Sequence, residues 1–149
     1  MYQKILVPID GSDTSARGLA EAMKLAKDQS AKIRLIHVVN ELMVVASYEG
    51  SIYSGELIQA LREGGQKVLD KAKAQVAAAG IQVEVELLEA HGGQAGHAIV
   101  KDAERSHADI IVLGTHGRRG LSRLVMGSDA EQVVRQAMVP VLLVRKPGD

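Results

Sequence analysis

Five short runs of β-branched and aliphatic residues, separated by longer segments of helical period, constrain this 149-residue chain more than any other feature. The runs occupy residues 5–9, 33–39, 81–88, 110–113 and 139–144. A strand run followed by a helix-length segment marks a βαβ unit, because parallel strands need a long crossover to bring the chain back. Four runs are nearly continuous in apolar residues, as strands covered by helices on both faces should be. The third alternates, Val83, Val85 and Leu87 against Gln82, Glu84 and Glu86, which fits one exposed face and a place at the sheet edge.

The intervening segments read as four helices. The first begins near Thr14, with Ser12, Asp13 and Thr14 as capping candidates and Ala16, Leu19, Ala20, Met23 and Ala26 as its apolar stripe. The second covers residues 55–79, with Leu57, Ile58, Leu61, Val68, Leu69, Ala72 and Val76 on one face. Gly64-Gly65 lies inside it and is expected to weaken it by about 1 kcal/mol per glycine relative to alanine. The third carries Ile99, Val100 and Ala103; the fourth carries Ala130, Val133, Val134 and Ala137 and stops before Pro140. Residues 40–54 have no clear period and read as a mobile surface loop. With no internal repeat, low-complexity tract or linker, residues 1–149 are expected to form one α/β domain.

Right-handed crossovers leave few ways to wind such a chain. If the first three strands wind one way and the last two return on the other side, the parallel sheet has the order 3-2-1-4-5 with helices on both faces. The alternating third strand then falls on an edge, and a crevice opens at the carboxyl ends of strands one and four, where open α/β sheets bind ligands. The order 2-1-3-4-5 also satisfies the handedness rule; the motifs below favour the first.

Composition removes several function classes. Lys+Arg and Asp+Glu number 18 each, so the formal charge is zero and broad electrostatic capture of nucleic acid or an anionic membrane is not expected. The chain has no Trp, no Phe and three Tyr, so a bound base must rest on aliphatic side chains and backbone rather than between aromatic rings. It has no Cys, hence no disulfide, thiolate metal site or cysteine nucleophile. Met1 leads directly into the first strand with nothing like a signal peptide, and no apolar run approaches the roughly 20 residues of a membrane span. A cytoplasmic, reducing compartment is the simplest expectation.

Two loops should meet at the crevice. Strand one ends in Val7-Pro8-Ile9-Asp10-Gly11-Ser12, and strand four ends in Leu113-Gly114-Thr115-His116-Gly117-Arg118-Arg119-Gly120. Gly127-Ser128 then opens the fourth helix. Glycines let backbone N–H groups approach a phosphate, and a helix N-terminus favours an anion through its free N–H groups and dipole. Residues 115–126 carry Arg118, Arg119 and Arg123 and no acid. Neither a GxxxxGK[ST] loop nor a GxGxxG after the first strand is present, so the site is not built like a P-loop ATPase and the ligand need not be a dinucleotide.

Gly114-Thr115-His116-Gly117, nine residues, then Gly127-Ser128 resembles the G-x2-G-x9-G-[S/T] signature of the universal stress protein family. The likeness extends to residues 5–12, to Leu35-Ile36-His37-Val38, and to the final run from Val139 to Val144, so it covers essentially the whole chain. The resemblance implies the fold of the adenine nucleotide alpha-hydrolase group and binding of ATP, ADP or AMP. Pro8, Ile9 and Val38 would line the adenine pocket, and Asp10 would bond the ribose or base. Gly114 and Gly117 would bring backbone against ribose and α-phosphate, with His116 and Arg118 alongside. Gly127, Ser128, Asp129 and Ala130 would meet the outer phosphates. Asp129 would repel phosphate oxygens unless Mg²⁺, held mainly by the phosphates, lies between; otherwise it favours a ligand with fewer phosphates and serves the helix dipole. Relatives also dimerise through the last strand, which here runs from Val141 to Arg145 and has no strand after it.

Plainer readings stand beside these. Asp10 can cap a turn, since Asp-Gly is a common turn pair. His37 lies in a buried strand and reads as a hydrogen-bonded core residue rather than a ligand, while His91, His97 and His107 lack metal-site spacing. Ser128 has no partner base, and no residue is assigned catalysis or metal ligation. An adenylate-forming or pyrophosphatase enzyme would need an SGGxDS-type loop, where this chain has Asp10-Gly11-Ser12-Asp13-Thr14-Ser15. The reading is therefore a nucleotide-binding regulatory protein with at most slow ATP hydrolysis. The alternative is a homodimeric interaction module in which nucleotide is secondary.

Overall fold

The structure is a computed structural model that describes residues 1–41, 55–92, 94–115 and 126–147. Along the chain run β1 (Lys4–Pro8), α1 (Asp13–Gln29), β2 (Lys32–Asn40), α2 (Gly55–Ala78), β3 (Val83–Ala90), α3 (Ala95–Ser106), β4 (Ile110–Gly114), α4 (Ser128–Gln136) and β5 (Val141–Val144). The strands form one parallel sheet in the order β3-β2-β1-β4-β5. This is the expected order, with β3 on an edge. The loop expected at 40–54 falls outside the described residues except for the end of β2 and Glu41.

Side chains alternate between two apolar layers. Ile5, Val7, Ile33, Leu35 and Val112 point into the cluster under α1 and α2 with Leu69, Ala72 and Val76. Leu6, Ile36, Ile111 and Leu113 point the other way, under α3 and α4, with Ile99, Val100, Ala130 and Val133. These side chains are almost wholly removed from water, each Ile, Leu and Val stabilising by about 1.5–3 kcal/mol before the entropic cost of ordering it.

Two stripes differ from the sequence expectation. On α1 the buried positions are Thr14, Ser15, Gly18, Leu19, Ala22 and Ala26, whereas Ala16 and Ala20 are exposed. The reason is close approach: a Cβ on Gly18 would lie 3.4 Å from the Gly114 nitrogen, so this interface selects small residues over greasy ones. On α4, Val133 is buried but Val134 is exposed.

Helix starts follow from capping chemistry. Ser12, in extended conformation, accepts the Ser15 N–H at 3.2 Å and caps α1. Ser30 and His107 end α1 and α3 in the left-handed region.

The polar face of β3 is not simply solvated. Glu84 and Glu86 meet Arg34 of β2, which lies within what reads as an apolar run and is buried. Arg34 donates from Nε and Nη2 to the two carboxylate oxygens of Asp102 on α3, both at 2.7 Å. Hydrogen bonding to Asp102, opposed by burial, raises the Arg34 pKa. Burial pushes the Asp102 carboxyl up, but the Arg34 and Arg105 hydrogen bonds outweigh it and hold the group below its ordinary value.

Candidate functional site

The carboxyl end of β1 is built by turn chemistry. After Pro8 the chain leaves the sheet, yet the Ile9 N–H still donates to the Ile36 carbonyl at 2.9 Å and Ile9 is buried. Asp10 Oδ1 accepts the Ser12 N–H at 2.9 Å, and Gly11 between them has φ of +83°, the left-handed region where glycine is the least strained choice. The turn-capping reading of Asp10 is thus present in the structure.

The carboxyl end of β4 lies beside it, because β1 and β4 are paired strands with Leu6 opposite Ile111. Asp10 and Thr115 each follow those partners by four residues, so both emerge from the same end of the sheet. Thr115 is buried, donates its N–H to Val144 at 3.1 Å, and accepts the Gly127 N–H at 2.7 Å. That last bond brings the chain back after residues 116–125 and sets the start of α4 against the end of β4.

Gly127 is the N-cap of α4 and, having no side chain, makes no side-chain capping bond. This contrasts with α1, whose first turn is capped by Ser12. The first N–H groups of α4 are therefore served by no N-cap side chain, the condition under which a helix start attracts an anion. Asp129 and Glu131 occupy the same first turn; Glu131 pairs with Arg135 at 2.7 Å. Ala130 is buried in the core below.

Of the expected site residues, Pro8, Ile9 and Asp10 lie at the end of β1, and Gly114 at the end of β4. Gly127, Ser128, Asp129 and Ala130 open α4. Val38 lies near the end of β2, opposite Leu88 of β3, and packs half-buried against the apolar layer under α3 and α4. His116, Gly117 and Arg118 lie outside the described residues, as do Arg119 and Arg123.

Gly114 has a structural reason to be glycine that the loop reading missed. A Cβ there would sit 2.8 Å from the backbone carbon and oxygen of Thr14, so the residue lets the first turn of α1 lie against β4. Thr115 and Arg34 were also missed. For Arg34 the signal was available: a cation in an apolar run, and Asp102 on the buried stripe of α3 between Ile99 and Ala103. His37 is buried and bonded to the Ile9 carbonyl, as a core histidine should be.

Among the described residues no group of three or more His, Asp or Glu could hold a metal ion, and no helix is long and apolar enough to cross a membrane.

An open parallel sheet with reversed winding, and a glycine-started helix at the reversal point, defines the class of α/β folds that carry ligands at the carboxyl ends of their strands. Within that class, the Universal stress protein family model matches residues 1–145, and the chain belongs to this family. It is 40% identical over 150 residues to universal stress protein MJ0531 of Methanocaldococcus jannaschii, covering 99% of this chain and 84% of that one. Among solved structures it resembles that of MJ0577 of the same organism with a TM-score of 0.86 and 29% identity, over 100% of this chain and 99% of that one. It also resembles a universal stress protein from Archaeoglobus fulgidus in complex with dAMP, with a TM-score of 0.66 and 25% identity, over 96% and 98% of the two chains.

Proposed function

We propose that this protein binds an adenine nucleotide in the crevice between the ends of β1 and β4 and acts as a regulatory stress-response protein rather than as an efficient enzyme. The observation that carries this reading is the start of α4, glycine-capped and drawn onto Thr115 by the 2.7 Å Gly127 bond, at the same sheet end as the Asp10 turn. The dAMP complex of the Archaeoglobus relative supports the ligand class.

Pro8, Ile9 and Val38 would enclose the base and Asp10 would bond base or ribose. Gly114, Gly117, His116 and Arg118 would serve ribose and α-phosphate; Gly127, Ser128, Asp129 and Ala130 would serve the outer phosphates. The residues present fit such a ligand: aliphatic walls for a base, and N–H groups without an N-cap side chain for phosphates. The Asp129 carboxylate in the first turn of α4 fits ATP best when Mg²⁺ rides on the phosphates, and otherwise fits AMP. The cysteine-free sequence suits a reducing cytoplasm. Calorimetry with ATP, ADP and AMP, with and without Mg²⁺, tests the reading; no heat from any of them defeats it.

A homodimer is the second reading. Among the described residues β5 pairs with β4 on one side only, and Leu142 of β5, Val134 of α4 and Met138 between those elements are exposed, Met138 at 86%. A free apolar edge invites a second copy, and zero formal charge offers little repulsion. A monomer in sedimentation at micromolar concentration would exclude it.

A further inference from the structure

We propose that His37 is a positioning residue for the base- and sugar-binding turn, holding the Ile9–Asp10 peptide in the orientation that ligand binding requires. The inference rests on the nucleotide reading above and identifies what fixes one wall of that site.

β1 stops laddering with β2 at Pro8, while β2 runs on to Asn40. The Ile9 carbonyl, attached to a buried residue, is where the chain turns out of the sheet, and it accepts from the imidazole Nδ1 of His37 at 2.8 Å. A carbonyl can only accept, so Nδ1 carries the proton and the tautomer is fixed by geometry.

That carbonyl belongs to the same planar peptide unit as the Asp10 N–H. The N–H lies 3.4 Å from Ser15 Oγ in the first turn of α1. One rigid plane is therefore held at its oxygen by β2 and at its hydrogen by α1. The next rotatable bond carries the Asp10 side chain, so the plane's tilt sets where that carboxylate points.

The imidazole is itself held from behind. Gly65 on α2 has no side chain, and a Cβ there would fall 2.4 Å from His37 Cδ2 and 2.9 Å from Nε2. The ring occupies the space that any other residue at 65 would fill, pressed between α2 and the Ile9 carbonyl. His37 is buried on the α2 side of the sheet, so it acts through Ile9 and Asp10 rather than by touching ligand.

A leucine at 37 fills comparable volume without a donor, whereas an asparagine carries an N–H donor at the position of Nδ1. Calorimetry with adenosine, AMP and ATP on the full chain separates donor from volume. His37→Leu is expected to weaken all three by about tenfold, the scale of one lost hydrogen bond. His37→Asn is expected to stay within about threefold of wild type for each, with its donor retained. Wild-type affinity in a folded His37→Leu, equal losses in folded Leu and Asn variants, or a loss that grows with phosphate number each overturns the assignment. The wild-type titration separates the two readings, since failure there removes the nucleotide site itself. Should the variants fail to fold, nitrogen-15 NMR of the wild-type imidazole decides: the Nδ1–H tautomer is expected, its signal moving on addition of AMP. An Nε2–H tautomer, or a signal indifferent to bound AMP, refutes the proposal.

Discussion

Replacing one member of the Arg34–Asp102 pair should destabilise the protein far more than replacing both. The Asp102 side chain is 1% exposed and receives two 2.7 Å hydrogen bonds from a guanidinium that is 10% exposed. Arg34→Met leaves that carboxylate buried with only Arg105, itself 59% exposed and donating at 2.6 Å. The loss should therefore lie near the upper end for a broken buried pair, about 4–5 kcal/mol. Asp102→Leu is less severe, because Arg34 keeps Glu86 and has Glu84 at 3.6 Å, so about 3 kcal/mol is expected.

The paired variant Arg34→Met/Asp102→Leu removes both desolvation costs and returns apolar volume to the interface between β2 and α3. It should fall within about 1 kcal/mol of wild type, where simple addition of the single losses would give about 7–8 kcal/mol. Urea unfolding at neutral pH measures this directly, with equal m-values as the check on two-state behaviour. A loss below about 1 kcal/mol for Arg34→Met, or additive losses in the paired variant, refutes the reasoning. The first outcome would mean that water reaches the pair and screens it.

Gly64→Ala, with nothing within 4 Å of the new Cβ, should raise the melting temperature by roughly 2–4 °C, and Gly65→Ala should lower it by displacing His37; equal shifts of one sign would contradict this. Gly114→Ala should lower the melting temperature without any nucleotide present, since its Cβ meets the Thr14 backbone at 2.8 Å; an unchanged melt with lost binding would return the glycine to the ligand alone. Acid should weaken the fold through Asp102, Glu84, Glu86 and Asp109, held below their ordinary values by Arg34, Lys32, Arg105 and the Lys4 N–H respectively, against burial at Asp102. The unfolded chain binds those protons first, so this stability is full at neutral pH and is lost as pH falls through the depressed folded values; a urea midpoint that stays flat from pH 7 to about pH 3 would contradict it.

Strand order and edge placement were legible because β-branched runs and one alternating run carry their burial in the pattern itself. Val83, Val85 and Leu87 do pack under α2, and β3 is an edge. What the pattern could not convey is how its polar face is satisfied. Glu84 depends on Lys32 and Arg34 of the neighbouring strand, and Glu86 on Arg105 of α3 together with Arg34; the strand pairings exist only once the register Arg34 opposite Glu84 is formed. The α1 stripe failed for a related reason. A hydrophobicity period finds greasy faces, and this helix buries Thr14, Ser15 and Gly18 because backbone closeness, not apolar area, governs the contact. Likewise Gly64 and Gly65 look identical in sequence, although only the second stands against another side chain.

The site shows the same division between pattern and packing. The glycine signature identified the family correctly, yet at Gly114 the missing side chain already has a reason in the packing of α1 on β4. The motif therefore reports fold as much as ligand at that position. The binding proposal gains its weight instead from Gly127 and Asp10. Gly127 starts a helix without giving it a side-chain cap, whereas Ser12, at the same place before α1, accepts the Ser15 N–H and caps that helix. Asp10 already satisfies the Ser12 N–H through Oδ1, so a ligand must engage the carboxylate without breaking that turn. A nucleotide that met both conditions would close the crevice from the two chain segments at once, with Ile9 and His37 fixing the one and Thr115 the other.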